Sequence, residues 1–469
     1  MVSTLRKRYF GDRAFYRMVL AVAIPIMVQN GITQFVSLLD NIMVGSVGKV
    51  QMGGVGVANT LIFVFNLAIF GAVSGAGIFG AQFYGHGDYE GVRNAFRFKL
   101  IIGAILTALG AAIFLIFGDN LIGLYLEGDG DAAERAATLF YAREYLQIML
   151  IGFIPFVLSQ CYAGTLRESG QTMVPMVAGL ISVAVNLCFN TLLIFGNLGF
   201  PRLGSAGAAI ATVIARFTEA GIVVFCAHKN KKKCPYMVGV YRTLRIPKEL
   251  CIRIAKKTVP LLLNETLWAG GMALLSQCYS LSGLDVVPAQ TISQTVSNVF
   301  NVAFLALGNA VGIIVGQLLG ANKLDEAVET DRKLITFSVL VCFLVGGVMA
   351  ALSSTIPRIY TEQPENVRAL AGQFIFVVAL TMPINSLANA CYFTLRSGGK
   401  TLITFLFDSF YVCCLTVPVA FALQLLTGIS IIPLFLICQL MDLGKCVLGL
   451  FFIHKRIWVH NIVKSEVQQ

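Results

Sequence analysis

Three carboxylates stand in stretches that otherwise read as lipid-soluble. They are Asp40 in S-L-L-D-N-I-M-V-G, Glu265 in V-P-L-L-L-N-E-T-L-W and Asp408 in T-F-L-F-D-S-F-Y. An ionisable group near the centre of a membrane helix costs roughly 2.5–3.5 kcal/mol, so it normally faces protein or water and has a task. A neutralising partner on the same helix would sit three or four residues away. Around Asp40 those positions hold Val36, Ser37, Met43 and Val44; around Glu265 they hold Leu261, Leu262, Trp268 and Ala269. Around Asp408 they hold Thr404, Phe405, Tyr411 and Val412, so none of the three acids has a local base. A carboxyl group in a poorly hydrated cavity can exchange a proton near neutral pH, and when ionised it can hold a monovalent cation or a cationic ligand. Either behaviour would couple passage of a solute to an ion gradient. The blander reading is a hydrogen bond to another helix or a place at the headgroup level, and Asp40, close to the end of its run, is most open to the second.

Other polar groups in apolar surroundings divide in two. Arg216 with Glu219, and Asp442 with Lys445, have the spacing to neutralise each other on one helix. Asn186 and Asn190 in N-L-C-F-N fall four apart on one face, and with Thr212 and Asn30 they could line a wet cavity or bond between helices. Pro25 and Pro260 each remove a helix hydrogen bond and are expected to act as bends or hinges.

The elements that must position these groups follow from composition. Of 469 residues, 57% are hydrophobic and only 13% charged, with a mean hydropathy of +0.78. Soluble domains carry about 25% charged residues. Apolar runs long enough to span a bilayer recur along the whole chain, which points to an all-α polytopic membrane protein. They begin near Phe15, Met52, Ala95, Arg135, Thr172 and Ser205, then near Ile254, Pro288, Val328, Leu370, Thr401 and Ile429, which predicts twelve transmembrane helices. The first run is too long for a signal-peptide core and no A-x-A-like site follows it, so it is read as retained.

The formal charge of +11 does not indicate nucleic acid, because the basic residues cluster in alternate gaps between apolar runs. Twelve cysteines with no C-x-x-C pair read as small buried hydrophobes rather than a metal or disulfide framework. The four histidines are far apart, so no metal, no resident cofactor and no catalytic dyad is expected. Gly75 to Gly80 spells G-A-G-I-F-G, but it lies inside an apolar run with no preceding strand; close helix packing explains it better than dinucleotide binding. N-K-K-K at Asn230 could meet anionic lipid, though a topology signal is the simpler reading.

Placing both termini in the cytoplasm leaves only Lys49, Arg135, Arg143, Arg202, Arg358 and Arg368 outside, with Arg216 and Lys445 inside spans. A repeat then emerges. At a shift of 235 residues Pro25 matches Pro260, Thr60 matches Thr295, Gly77 matches Gly312, Gln82 matches Gln317 and Gly85 matches Gly320. At 229, T-L-R at Thr165 matches T-L-R at Thr394, and Gly170 matches Gly399; the missing six residues belong in the acidic stretch Gly118 to Asp131. The expected organisation is therefore two parallel-repeat six-helix bundles, residues 1–228 and 254–469, around a central cleft. A basic cytoplasmic linker, residues 229–253, joins them. By the same register Glu265 corresponds to Asn30, whereas Asp40 corresponds to Leu275, so the halves carry their acids at different depths.

P-I-M-V-Q-N followed by D-N-I-M-V-G resembles the multidrug and toxic compound extrusion (MATE) family. So do G-A-Q-F-Y-G-H-G-D, T-L-R-E-S-G-Q-T, the stretch from N-L-C-F-N through A-G-A-A-I-A-T, and V-P-L-L-L-N-E-T-L-W. The resemblance covers nearly the whole chain. It implies a secondary antiporter of a bacterial inner membrane, exporting organic and often cationic compounds in exchange for protons or sodium. In that family the first-span acid, here Asp40, takes part in ion coupling, and a seventh-span acid comparable to Glu265 matters in one branch. The N-x-x-x-D pair of another branch has Asn190 as its second member here, and the tenth span offers Asn385 and Asn389 in place of an acid. Neither full ion site is reproduced, so the resemblance leaves proton and sodium open. A cleft lined by Phe, Tyr, Met and small residues would hold an amphipathic cation by apolar and cation–π contacts. The chain is expected to work as a monomer in the bilayer, with small organic substrates as its partners. A lipid-linked oligosaccharide flippase of the same superfamily would want a strongly cationic cavity, and an ion channel would show no stoichiometric counter-ion.

Overall fold

The computed structural model describes residues 9–126, 132–283, 285–360 and 363–464. Glu127 to Asp131, where part of the repeat's missing six residues was expected, lie outside them. Among the described residues every regular element is helical. The chain forms α1 (Arg13–Gly45), α2 (Lys49–His86), α3 (Tyr89–Gly123), α4 (Ala132–Ile151), α5 (Phe153–Glu168), α6 (Met173–Leu193) and α7 (Ser205–Lys229). The second half forms α8 (Lys248–Ser280), α9 (Val286–Gly320), α10 (Leu324–Leu352), α11 (Glu365–Ser397), α12 (Thr401–Thr427) and α13 (Ile431–His454). Each expected apolar segment coincides with one helix, except that the fourth is α4 and α5 together.

Ten of these helices, or eleven with α4 and α5 as one span, are long and apolar enough to cross a membrane. The remaining long helix, α8, carries Arg253, Lys256, Lys257 and Glu265 and lies outside that set. Leu115 and Ile116 on α3, and Phe343 and Leu344 on α10, are two-thirds exposed. Rows of bare apolar side chains on long helices suit a lipid solvent.

The fourth span breaks at Gly152, where α4 and α5 meet at 48°. Arg216 of α7 donates from Nη1 to the Gly152 carbonyl at 3.3 Å, and its guanidinium lies 4.8 Å from the Phe156 ring. That carbonyl also accepts the Phe156 amide at 3.2 Å, while Pro155 has no amide to offer Ile151, a recognised cause of a kink. Arg216 therefore braces the bend, and Glu219 also acts on it electrostatically, as their spacing suggested.

Contacts divide the chain into two compact units. An N-terminal unit comprises residues 28–80 and 89–258; a C-terminal unit comprises residues up to Met27, Ala81–Asp88 and Val259 onward. The chain passes from one unit to the other two residues after Pro25 and again just before Pro260. The repeat-related prolines thus mark where α1 and α8 are each shared between units.

In the N-terminal unit, the segment read as a linker packs onto α3 and α5. Arg93 Nε donates to the Tyr236 carbonyl at 3.1 Å, Arg97 Nε to the Val240 carbonyl at 3.0 Å, and the Tyr236 hydroxyl meets Ser169 Oγ at 2.6 Å. The G-A-G-I-F-G stretch also finds its reason here. Lys99, fully buried, donates to both carboxylate oxygens of Glu168 at 2.7 and 2.6 Å and to Thr165 Oγ1 at 2.9 Å. A methyl group on Gly77 or Gly80 would overlap that carboxylate, and one on Gly75 would meet Thr258. The glycines make room for a buried ion pair as well as for a neighbouring helix.

In the C-terminal unit, the ends of α2 and α9 cross at backbone contact. A Cβ on Gly85 would strike the Gln317 carbonyl, and one on Gly320 would strike that of Gln82. These are the residues matched by the 235-residue repeat. Gln82 Nε2 donates to the Ser397 carbonyl at 2.9 Å, while its Oε1 accepts the Ile462 amide at 2.9 Å. Asn461 Nδ2 donates to the Gly320 carbonyl at 3.1 Å, so residues beyond α13 fasten this crossing. Elsewhere in the unit Phe374 and Tyr279 pack edge-on against Phe435 in an apolar core.

Candidate functional site: two polar clusters inside the helix units

The first cluster lies in the N-terminal unit. Asp40 is five residues before the end of α1, and α6 presents Asn186 and Asn190 one turn apart. Both amide hydrogens of Asn190 are used: Nδ2 donates to Asp40 Oδ1 at 2.5 Å and to Asn186 Oδ1 at 3.1 Å. Asn186 Nδ2 donates onward to Thr212 Oγ1 on α7 at 3.3 Å, and that hydroxyl donates to the Ala208 carbonyl at 2.9 Å. The chain of donors fixes the Asn190 amide and turns its N–H towards Asp40. Asn190 itself is 1% exposed, and its Oδ1 has no partner among the described residues. Asp40 is thus held by a neutral amide, which orients the carboxylate without neutralising it. Such a group can gain a proton or a small cation with little rearrangement of its neighbours.

The second cluster lies in the C-terminal unit and is more highly charged. Asn264 and Glu265 follow Pro260 on α8. Asn264 Oδ1 accepts the Ser409 amide at 3.3 Å and the Ser409 hydroxyl at 2.7 Å, and its Nδ2 donates to Asp408 Oδ2 at 3.2 Å. Tyr392 of α11 donates to Glu265 Oε1 at 3.4 Å. Asp408 sits in a π-helical turn, Leu406–Phe410, and a second such turn, Val412–Thr416, follows. Wide turns of this kind release backbone groups and occur mostly at functional positions; here Asn264 takes up the Ser409 N–H. Lys445 Nζ on α13 lies 3.1 Å from Asp408 Oδ1 and 3.3 Å from Asp442 Oδ1. Asp408 therefore does have a base, supplied by another helix, while the expected local pair Asp442–Lys445 also forms.

Of the residues singled out from sequence, Asp40, Asn186, Asn190 and Thr212 come together in one cluster, and Glu265 and Asp408 in the other. Asp40 and Glu265 belong to different units, each surrounded by groups of its own unit. Asn30 is half-buried and makes no side-chain hydrogen bond among the described residues. Pro25 and Pro260 lie inside α1 and α8. Sequence reasoning missed Tyr392, Ser409 and the reach of Lys445 to Asp408. It also passed over Asn264 as a structural centre, although its place beside Glu265 and after a proline was a usable signal. No group of three or more His, Cys, Asp or Glu side chains suited to a metal ion occurs among the described residues.

Comparison with known proteins gives a consistent picture. The MatE family profile matches residues 25–192 and 260–422, two stretches that begin at the repeat-related prolines. A probable multidrug resistance protein NorM of Thermotoga maritima is 24% identical over 415 residues, covering 86% of this chain and 84% of that protein. A probable multidrug resistance protein YoeA of Bacillus subtilis is 25% identical over 420 residues, covering 87% of each. Among solved structures, a MATE crystal structure in a bent conformation aligns with a TM-score of 0.83 and 18% identity over 96% of both chains. An outward-facing multidrug resistance MATE transporter of the MOP superfamily aligns with a TM-score of 0.82 and 17% identity, over 96% of this chain and 97% of that one. At these identities the structural likeness is one of fold.

Proposed function

The chain belongs to the MatE family, and from that premise we propose that it is a multidrug efflux antiporter of a bacterial cytoplasmic membrane. It exports organic, cationic compounds in exchange for protons or sodium by alternating access, and it acts as a transporter rather than an enzyme. The observation that carries the coupling role is the Asp40 carboxylate held on one side by Asn190 at 2.5 Å within an otherwise apolar helix. An acid so placed changes its charge state at low structural cost, which is what coupling requires. Glu265, hydrogen-bonded by Tyr392, is the second coupling candidate.

In this reading α8 supplies the twelfth span, both termini face the cytoplasm, and the monomer works as two six-helix halves, residues 1–228 and 254–469. Pro25 and Pro260, close to the passages between the two compact units, are the natural places for helices to bend as access alternates. Arg216 and Lys445, the two cations that the sequence placed inside spans, are engaged by a carbonyl and by carboxylates, which does not suit a pyrophosphate-binding cavity.

The test is transport by purified protein in proteoliposomes, with a fluorescent organic cation and an imposed proton or sodium gradient. Gradient-dependent movement is expected with one of the two ions. No movement under either would overturn the antiport reading and turn attention to lipid or metabolite cargo.

A further inference from the structure

The C-terminal cluster holds three carboxylates, Glu265, Asp408 and Asp442, yet the space between two of them is filled by the chain's own ammonium group. Lys445 is buried, with a side chain only 7% exposed, and its Nζ bridges Asp408 and Asp442 at 3.1 and 3.3 Å. Tyr411 lies with its ring 5.9 Å from the same nitrogen, and its hydroxyl is tied to the Met441 carbonyl at 3.0 Å. Gly444, next to Lys445, has no Cβ because one would overlap the Tyr411 hydroxyl. On the far side of Asp408, Asn264 donates to the other carboxylate oxygen at 3.2 Å. The charged or titratable neighbours among the described residues are Asp408 and Tyr411 from α12, Asp442 and Cys446 from α13, Glu265 and Tyr279 from α8, and Tyr392 and Arg396 from α11.

We propose that Lys445 is a built-in counter-cation that decides which ion the C-terminal half can use. Two carboxylates flanking one pocket of low dielectric attract an alkali cation, because neither can stay ionised cheaply without one. An ammonium group tethered on α13 supplies that charge permanently, and its three donors satisfy oxygens that a sodium ion would otherwise ligate. The half that contains it has no room, in charge or in space, for sodium between Asp408 and Asp442. It exchanges protons instead. A rigid Asp442–Lys445 pair on one helix would need no such reach; the bridge to Asp408 in its π-helical turn is what makes Lys445 part of the acid cluster. Lys445 stands one repeat shift of 229 residues from Arg216, but Arg216 is spent on the Gly152 carbonyl and the Phe156 ring, so the device is particular to the second half.

This proposal depends on the antiport reading only for its physiological meaning, and its test does not. Detergent-purified wild type, Lys445→Met and Lys445→Arg are melted in matched sodium and N-methylglucamine chlorides. Wild type and Lys445→Arg are expected to show no sodium-dependent rise in Tm that Asp408→Asn removes, and Asp40→Asn takes away any contribution of the N-terminal cluster. Lys445→Met is expected to gain a sodium-dependent rise in Tm of about 3 °C or more, because binding to the folded state raises stability in proportion to the logarithm of ion concentration. Adding Asp408→Asn to Lys445→Met should remove the gain. A folded Lys445→Met with no sodium response would overturn the proposal, and so would a wild-type sodium response that survives Asp40→Asn and is lost in Asp408→Asn. In proteoliposomes, Lys445→Met should convert a proton-driven activity into one that sodium also drives. Absence of transport by wild type would sink the antiport reading while leaving the melting result to judge Lys445.

Discussion

Asn190 donates to Asp40 over 2.5 Å from a position 150 residues further along the chain. The bond joins the last turns of α1 and α6, and the remaining amide hydrogen of Asn190 is committed to Asn186. The carboxylate is oriented by a group that cannot itself take up its proton.

Asp40→Asn is expected to abolish gradient-driven efflux while leaving expression and membrane insertion unchanged. Asn190→Ala removes one charge-assisted hydrogen bond, worth about 1.5–3 kcal/mol, and should slow efflux about tenfold or more without abolishing it. Initial rates in proteoliposomes check both. Full activity of Asp40→Asn would refute the coupling role.

Lys99 and Glu168 form an ion pair sealed under Gly77 and Gly80. Removing one partner leaves a buried charge uncompensated, at a cost of about 3–5 kcal/mol. Lys99→Met and Glu168→Gln should therefore each lower the melting temperature sharply, and the double variant should recover much of the loss. A double variant as unstable as the sum of the singles would show that the two groups do not depend on each other.

Asn264 gathers Ser409 and Asp408 around one amide. Asn264→Ala orphans the Ser409 N–H in its wide turn and takes a donor from Asp408, so a loss of about 1–3 kcal/mol is expected. Thermal unfolding of the purified protein reads it directly. An unchanged melting curve would mean that the π-helical turn holds itself.

The crossing of α2 and α9 leaves no room for a side chain at Gly85 or Gly320. Gly85→Ala and Gly320→Ala should each destabilise by about 1–3 kcal/mol through forced backbone separation. Gly270→Ala on α8, which meets nothing within 4 Å, is the control and should be neutral or slightly stabilising. Equal melting temperatures for all three would contradict the close approach.

Much of the helix framework was legible because apolar runs and polar gaps alternate at bilayer length. The expected start at Ser205 and that at Thr401 coincide with the first residues of α7 and α12. The break at Gly152 was not read, although a glycine three residues before Pro155 was a fair signal. Arg216, which braces the bend, comes from another helix and leaves no trace in local spacing. The same holds for Asp408. Periodicity reports neighbours at three and four residues, so it found Asp442 for Lys445 and could not find Asp408, 37 residues earlier. The π-helical turn was equally hidden, since Asn264, which accepts from the Ser409 amide, lies on another helix. The cluster around Asp40 was easier, because Asn186 and Asn190 share a face by their spacing alone.

The contact of Gly85 with Gln317 and of Gly320 with Gln82 has the form of an isologous interface, in which one patch meets a copy of itself. Within one chain the two repeats thus meet through equivalent residues at this patch, while elsewhere they differ: an acid held by amides in one, a lysine-filled cluster in the other.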